Sequence, residues 1–100
     1  MEITKSQDGT EITLVLDKKL SAVTADELEK NLSEILIPNV KKFTVDMKKL
    51  VYISSAGLRV LLKAKKFMNQ QGSMNVTNAV PEVMKIFETT GFDEILNIKK

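Results

Sequence analysis

The sequence predicts an α/β fold in which helices pack on a mostly parallel sheet. Three observations carry this. Segments of period-two hydrophobicity alternate with segments of helical period. The alternation is preceded by a hairpin signal, so the first strand should be the antiparallel exception. And 100 residues with no Pro/Gly/Ser-rich linker, repeat or low-complexity stretch form one domain, residues 1–100, with one modest core.

The elements follow in order. In EITKSQDGTEITLVL, Asp8-Gly9 is the turn dipeptide between two β-prone arms. Ile12, Leu14 and Leu16 alternate to give the second strand a buried face, and Val15 indicates partial cover on the other. SAVTADELEKNLSEILIP is a helix: Thr24 and Glu27 have capping-box spacing, Leu28, Leu32, Ile35 and Leu36 form a core-facing stripe, and Pro38 stops it. KKFTVDMKKLVYI contains a strand in which Phe43, Val45 and Met47 alternate while Asp46 points away. AGLRVLLKAKKFMNQQG is a second helix with a wide stripe of Leu58, Leu61, Leu62, Ala64 and Met68 flanked by Val60 and Phe67, and with Gly72 as its C′ residue. SMNVTNA is a short strand centred on Val76. VPEVMKIFETTG is a third helix, with Pro81 in its first turn, Val83, Ile86 and Phe87 inward and Gly91 past its end. DEILNI is a closing strand. The order is β-β-α-β-α-β-α-β.

Composition narrows the chemistry. There is no histidine, which removes Ser-His-Asp and Cys-His catalysis and the commonest general base near neutral pH. There is no cysteine, which removes disulfides, thiolate metal sites and a thiol nucleophile. The net charge of +2 is too small to indicate a nucleic-acid partner, and no basic–aromatic alternation offers stacking. No stretch has the length of a membrane span and the N-terminus lacks a signal pattern, so a cytoplasmic protein without a membrane or nucleic-acid partner is expected. Glycine-rich phosphate loops, an S-x-x-K pair and calcium loops are missing. The carboxylate groups Glu27/Glu29/Glu34 and Glu88/Asp93/Glu94 read as solvated faces, and Met68, Met74 and Met84 as core filler. No enzyme activity and no metal or other cofactor is expected.

One step stands out. In VYISSAGLRVLL a strand ends near Ile53 and a helix begins near Ala56. Ser54 or Ser55 can cap the helix. Ala56 and Gly57 add almost no bulk, which reads as clearance for an approaching surface. A strand-to-helix loop lies at the carboxyl edge of the sheet, where ligands and partners gather. A phosphate on a hydroxyl there would meet the positive end of the helix dipole. Downstream, Arg59, Lys63, Lys66 and Gln70 make a polar, mostly basic helix face suited to an acidic partner, or to solvent.

From about Ile3 to Ile98 the pattern resembles the STAS domain family, and within it the bacterial anti-sigma factor antagonists. The carrying segments are the opening hairpin, LDKKLSAVTADELE, FTVDMKKLVYISSAGLRVLL and GSMNVTNAVPEVMKIFETTGF. The resemblance implies a single layer of helices on a mixed, mostly parallel sheet. It also implies a phosphorylation-controlled binding module. Unphosphorylated, such a protein binds an anti-sigma factor that is also a serine-protein kinase and so frees the sigma factor; loop-serine phosphorylation blocks this and a serine phosphatase reverses it. Anchored on Gly57-Leu58, the phosphoacceptor falls on Ser55, with Ser54 as second choice. Ser21, Ser54, Ala56, Gly57, Arg59 and Lys63 are the expected partner-binding residues, and the chain is expected to be a monomer or weak dimer. Two family acids are hydroxyls here, at Ser54 and Ser21, and the family's loop glycine is Lys18; Asp17 or Asp46 could replace the acids. The alternative is a STAS accessory module of a lipid or anion transport system that binds an ATPase or membrane partner without phosphorylation control.

Overall fold

In the computed structural model, which describes residues 2–36 and 38–99, five strands and four helices run in the order β1 (Ile3–Asp8), β2 (Glu11–Leu20), α1 (Ala22–Ile35), β3 (Lys42–Ile53), α2 (Ser55–Asn69), β4 (Ser73–Thr77), α3 (Pro81–Thr90), α4 (Phe92–Ile95) and β5 (Asn97–Lys99). Ile37, in the segment expected to close the first helix, and Lys100 lie outside the described residues.

The strands lie side by side in sequence order, β1 antiparallel to β2 and every later pair parallel. Each crossover from β2 onward therefore steps in the same direction across the sheet. Because such crossovers are almost always right-handed, successive helices fall on one face. Burial agrees. Ile12, Leu14, Leu16, Phe43, Val45, Met47, Met74 and Val76 form the buried face. Their neighbours Thr13, Val15, Thr44, Asp46, Asn75 and Thr77 are only half-buried. Val15 is thus an isolated apolar residue on a polar face, and no second helical layer covers it.

Local chemistry accounts for the ends of the elements, in places differently from the sequence expectation. The hairpin loop is Gly9-Thr10, with Asp8 paired to Glu11, and positive φ occurs only at Gly9 (62°), the pattern of a II′ turn. Helix α1 is capped by Ser21, not Thr24: Thr24 sits at N3 and completes a box with Ser21, so Glu27 has no part in it. In α2, Val60 is buried and Leu62 only half-buried, while Phe67 is exposed. Gly72 is not a left-handed C′ residue. It is glycine because a Cβ there would lie 2.6 Å from the Lys41 carbonyl carbon and closer still to its oxygen. Gly91 does end α3 in the left-handed region, φ 79°. The closing segment is not one strand. Phe92–Ile95 makes a short helical turn, and only Asn97–Lys99 pairs with β4.

The feature that matters for function is the unequal length of the strands. Pairing of β3 with β4 stops at Asp46 and Thr77, but β3 continues to Ile53 beside β2. Two register shifts, at Val15/Asp17 and Lys18/Lys19, keep β2 in step, and Lys18 adopts φ 62° at the second. The result is a two-stranded ribbon, Asp17–Leu20 with Lys49–Ile53, projecting past the rest of the sheet at its carboxyl edge.

Candidate functional site

The ribbon delivers two helix N-termini to one place. Leu20 pairs with Ile53, and the Ser54 N–H donates to the Leu20 carbonyl (2.8 Å). The first residues beyond the two strands, Ser21 and Ser54, therefore leave the sheet about one strand spacing apart, roughly 5 Å. Each caps its own helix. Thr24 N–H donates to Ser21 Oγ (3.3 Å) and Ser21 N–H to Thr24 Oγ1 (2.7 Å), while Thr24 Oγ1 also donates to the Lys19 carbonyl (3.0 Å). Gly57 N–H donates to Ser54 Oγ (3.1 Å).

The two serines of the step are thus different in kind. Ser54 is half-buried and its side chain and backbone are committed to the α2 cap. Ser55 is the first helical residue, exposed, and its hydroxyl makes no hydrogen bond among the described residues. Ala56 is half-buried against the core. Gly57 is buried, and a Cβ on it would lie 2.7 and 2.9 Å from Leu20 Cγ and Cδ2 and 3.1 Å from Ile53 Cγ2. Its missing side chain makes room for Leu20, not for an incoming surface. This corrects the reading of Gly57 as partner clearance: it fastens α2 onto the ribbon and so fixes where Ser55 points.

Arg59 is exposed four residues on from Ser55, one turn along the same side of α2. Lys63, a further turn on, is held by Glu29 of α1 (2.9 Å). Neither candidate carboxylate is brought to the serine. Asp17 Oδ1 accepts the Glu2 N–H (2.6 Å) and pins the start of the chain to β2. Asp46 accepts from the Lys48 N–H (3.0 Å) and from Asn78 Nδ2 (3.2 Å), and it ion-pairs with Lys48 (3.7 Å). Both stand well back along their strands, Asp17 about 10 Å from Leu20 at the usual rise per residue. Neither α1 nor α2 has an acidic residue in its first turn. The edge thus presents an exposed serine hydroxyl, Ser55, with no carboxylate in the first turn of either helix. Among the described residues no cluster of acids could hold a metal ion.

The expected site left out what surrounds these serines. In the distal part of β3, beyond Asp46, the buried residues are Met47, Leu50 and Ile53, every third one, so Lys48, Lys49, Val51 and Tyr52 are all exposed. A hollow at the ribbon is lined by Lys18, Lys19, Ser21, Thr24, Lys49 and Val51. In the sequence Leu50 to Ile53 is one continuous apolar patch, and only the paired strand shows which of its residues turn outward.

Comparison with known proteins accords with this geometry. The STAS domain family model matches residues 2–100. BtrV of Bordetella bronchiseptica, named as a candidate anti-sigma factor antagonist, is 31% identical over 99 residues, covering 98% of this chain and 85% of its own. A Thermotoga maritima crystal structure of another candidate anti-sigma factor antagonist superposes with TM-score 0.89 at 19% identity, over 98% of this chain and 86% of that one. The anti-sigma factor antagonist SpoIIAA in its unphosphorylated form gives 0.85 at 15%, over 99% and 89%. These three relatives carry the names of regulators, not of enzymes. With the family model spanning the described chain and a curated relative above 30% identity, the chain belongs to the STAS domain family.

Proposed function

We propose that the protein is an anti-sigma factor antagonist switched by phosphorylation of Ser55. Unphosphorylated, it binds an anti-sigma factor that is also a serine kinase, and the sigma factor is released; a phosphatase restores the binding form. One observation carries the reading: of two adjacent serines at the α2 N-terminus, Ser54 is fully employed as the cap, while Ser55 is exposed and structurally idle. A phosphate can be added to Ser55 without breaking a hydrogen bond of the fold. The likeness to BtrV and to SpoIIAA, for which a phosphorylated form is also known (TM-score 0.76 at 13% identity, over 99% of this chain and 92% of that one), supports it.

The magnitude is adequate. Phosphoserine brings about −1.5 to −2 charges at neutral pH. An uncompensated charge pressed into an interface costs several kcal/mol, and about 1.4 kcal/mol is tenfold in affinity, so a loss of a hundredfold or more needs no conformational change.

The test is to incubate the protein with ATP and each serine-kinase anti-sigma factor of its own organism, then map phosphate by mass spectrometry and measure binding of wild type, Ser55→Ala and Ser55→Asp. Modification at Ser55, retained binding by Ser55→Ala and lost binding by Ser55→Asp are expected. Equal binding of all three forms refutes the switch. A membrane or ATPase subunit of a transport system as the sole binding partner would replace the proposal with the accessory-module alternative.

A further inference from the structure

The projecting ribbon carries a surface that the fold does not use. The large apolar side chains most exposed to solvent include Val23 (79%), Val51 (51%) and Tyr52 (46%). These three come from two elements, β3 and α1, yet share one end of the molecule. Val51 and Tyr52 are on the distal ribbon, and Val23 is in the first turn of α1, two residues past Ser21. Interleaved with them are Lys18, Lys19 and Lys49. None of these lysines forms an ion pair among the described residues, in contrast to Lys42, Lys48 and Lys63. Lys19 is the register partner of Tyr52, and Lys18, Lys19, Lys49 and Val51 line one hollow. Lys18 adopts φ 62° at the register shift, and the consecutive Lys18 and Lys19 are both exposed.

We infer that this ribbon is a docking surface for an acidic protein segment bearing one or two apolar side chains, reading charge with Lys18, Lys19 and Lys49 and anchoring on Val23, Val51 and Tyr52. Apolar centres flanked by a predominance of one charge are the anatomy of a selective protein interface; the one acid of the ribbon, Asp17, is half-buried at its base, where its carboxylate accepts the Glu2 N–H. The sign rules out a second copy of the same face, because the lysines would oppose one another. Tyr52 is the single aromatic among the three anchors, too few for successive bases to stack on, which disfavours a nucleic-acid strand. The identity of the partner as an anti-sigma factor rests on the proposed function above, but the chemistry of the surface does not. If the two readings hold together, a phosphate on Ser55 lands beside the same surface and repels the very segment that the lysines attract.

The experiment uses the 15N-labelled full chain and a defined probe, a synthetic dodecapeptide of Glu and Asp with one Leu and one Phe. NMR shift changes confined to residues 18–23 and 48–53 are expected. The exposed triple variant Lys18→Glu/Lys19→Glu/Lys49→Glu should fold as wild type and weaken the peptide by about tenfold or more. Val51→Ser/Tyr52→Ser should weaken it severalfold at unchanged charge. Shifts spread along Arg59–Lys66 instead, no binding, or equal binding of a peptide with Ser in place of Leu and Phe would overturn the inference. So would tight binding to phosphatidylserine vesicles, lost in the triple variant, with no peptide binding. In a second arm, any anti-sigma factor that binds wild type should associate at least about tenfold more slowly with the triple variant at low salt. Failure of every anti-sigma factor to bind wild type counts against the proposed function and leaves the peptide result standing.

Discussion

Replacing the two serines of the step one at a time separates structural from regulatory work. Ser54→Ala removes the side-chain acceptor of the Gly57 N–H, a 3.1 Å bond at a buried residue, and water cannot freely replace it. Loss of a serine cap costs about 0.5–2 kcal/mol, and burial of the orphaned donor places this case in the upper half, about 1.5 kcal/mol. For a 100-residue chain that corresponds to a Tm lower by about 5–10 °C. Ser55→Ala removes a hydroxyl with no partner from an exposed first-turn position, and stability should stay within about 0.5 kcal/mol of wild type. Ser55→Asp should stabilise by about 0.3–1 kcal/mol, because the first turn of α2 has no acid to meet the helix dipole. Differential scanning calorimetry with parallel urea titrations reads all three. A Ser55→Ala loss equal to that of Ser54→Ala would sink the division of labour, and with it the reason for assigning the modification to Ser55.

Three further substitutions test the frame that aims the serine. Gly57→Ala gains up to about 1 kcal/mol in helix propensity but drives a methyl into Leu20, which is fully buried and cannot swing aside; a net loss of about 1–2 kcal/mol in urea unfolding is expected, and a gain would mean that the ribbon is loosely packed. Gly72→Ala meets the Lys41 backbone, whose carbonyl accepts the Ser73 N–H at 2.9 Å, so a loss of about 3 kcal/mol or more is expected, visible as a sharply lowered denaturant midpoint. Lys18→Gly relieves a left-handed residue that carries a side chain, and should raise stability by about 0.5–1 kcal/mol while leaving the Ser54–Leu20 hydrogen bond in place; a loss would show that lysine's side chain holds the bulge.

The strands that were easiest to read are those whose alternation faces one helical layer. Ile12–Leu16 and Phe43–Met47 behave as period-two strands because regular pairing on both sides keeps them flat. Beyond Asp46 the β4 partner is gone and two register shifts intervene, so the burial of Leu50 and Ile53 follows a period of three that no strand template contains. That is why Ser54 and Ser55 were legible as a step but the valine–lysine surface beside them was not. Gly57 and Gly72 show the same limit. Each was recognised as significant, yet the significance lies in atoms of Leu20 and Lys41, distant in sequence, and no local rule names them. The short helix at Phe92–Ile95 was missed because four residues are too few to show a helical period, and Ile95, read as part of a strand face, is exposed.

The hydroxyls at positions 21 and 54 can be understood in terms of charge contrast. Family members with acids there carry negative charge at this edge in both states, so a phosphate changes a charge that is already present. In this chain the first turns of α1 and α2 contain no acid, Asp17 and Asp46 are committed farther back, and the nearby free charges are Lys18, Lys19, Lys49 and Arg59. A phosphate on Ser55 would then be the one negative group at a positive edge, and its arrival would reverse the local sign instead of deepening it. Serine also does the acid's structural work, since Ser21 Oγ and Ser54 Oγ accept the same cap hydrogen bonds that a carboxylate would. The substitution thus keeps both caps and widens the electrostatic gap between the two states. Because that gap acts between exposed charges within about a Debye length, the affinity penalty of Ser55→Asp should shrink as salt is raised. A penalty independent of salt would assign the switch to desolvation of the charge pressed into the interface and leave the lysines without a part in it.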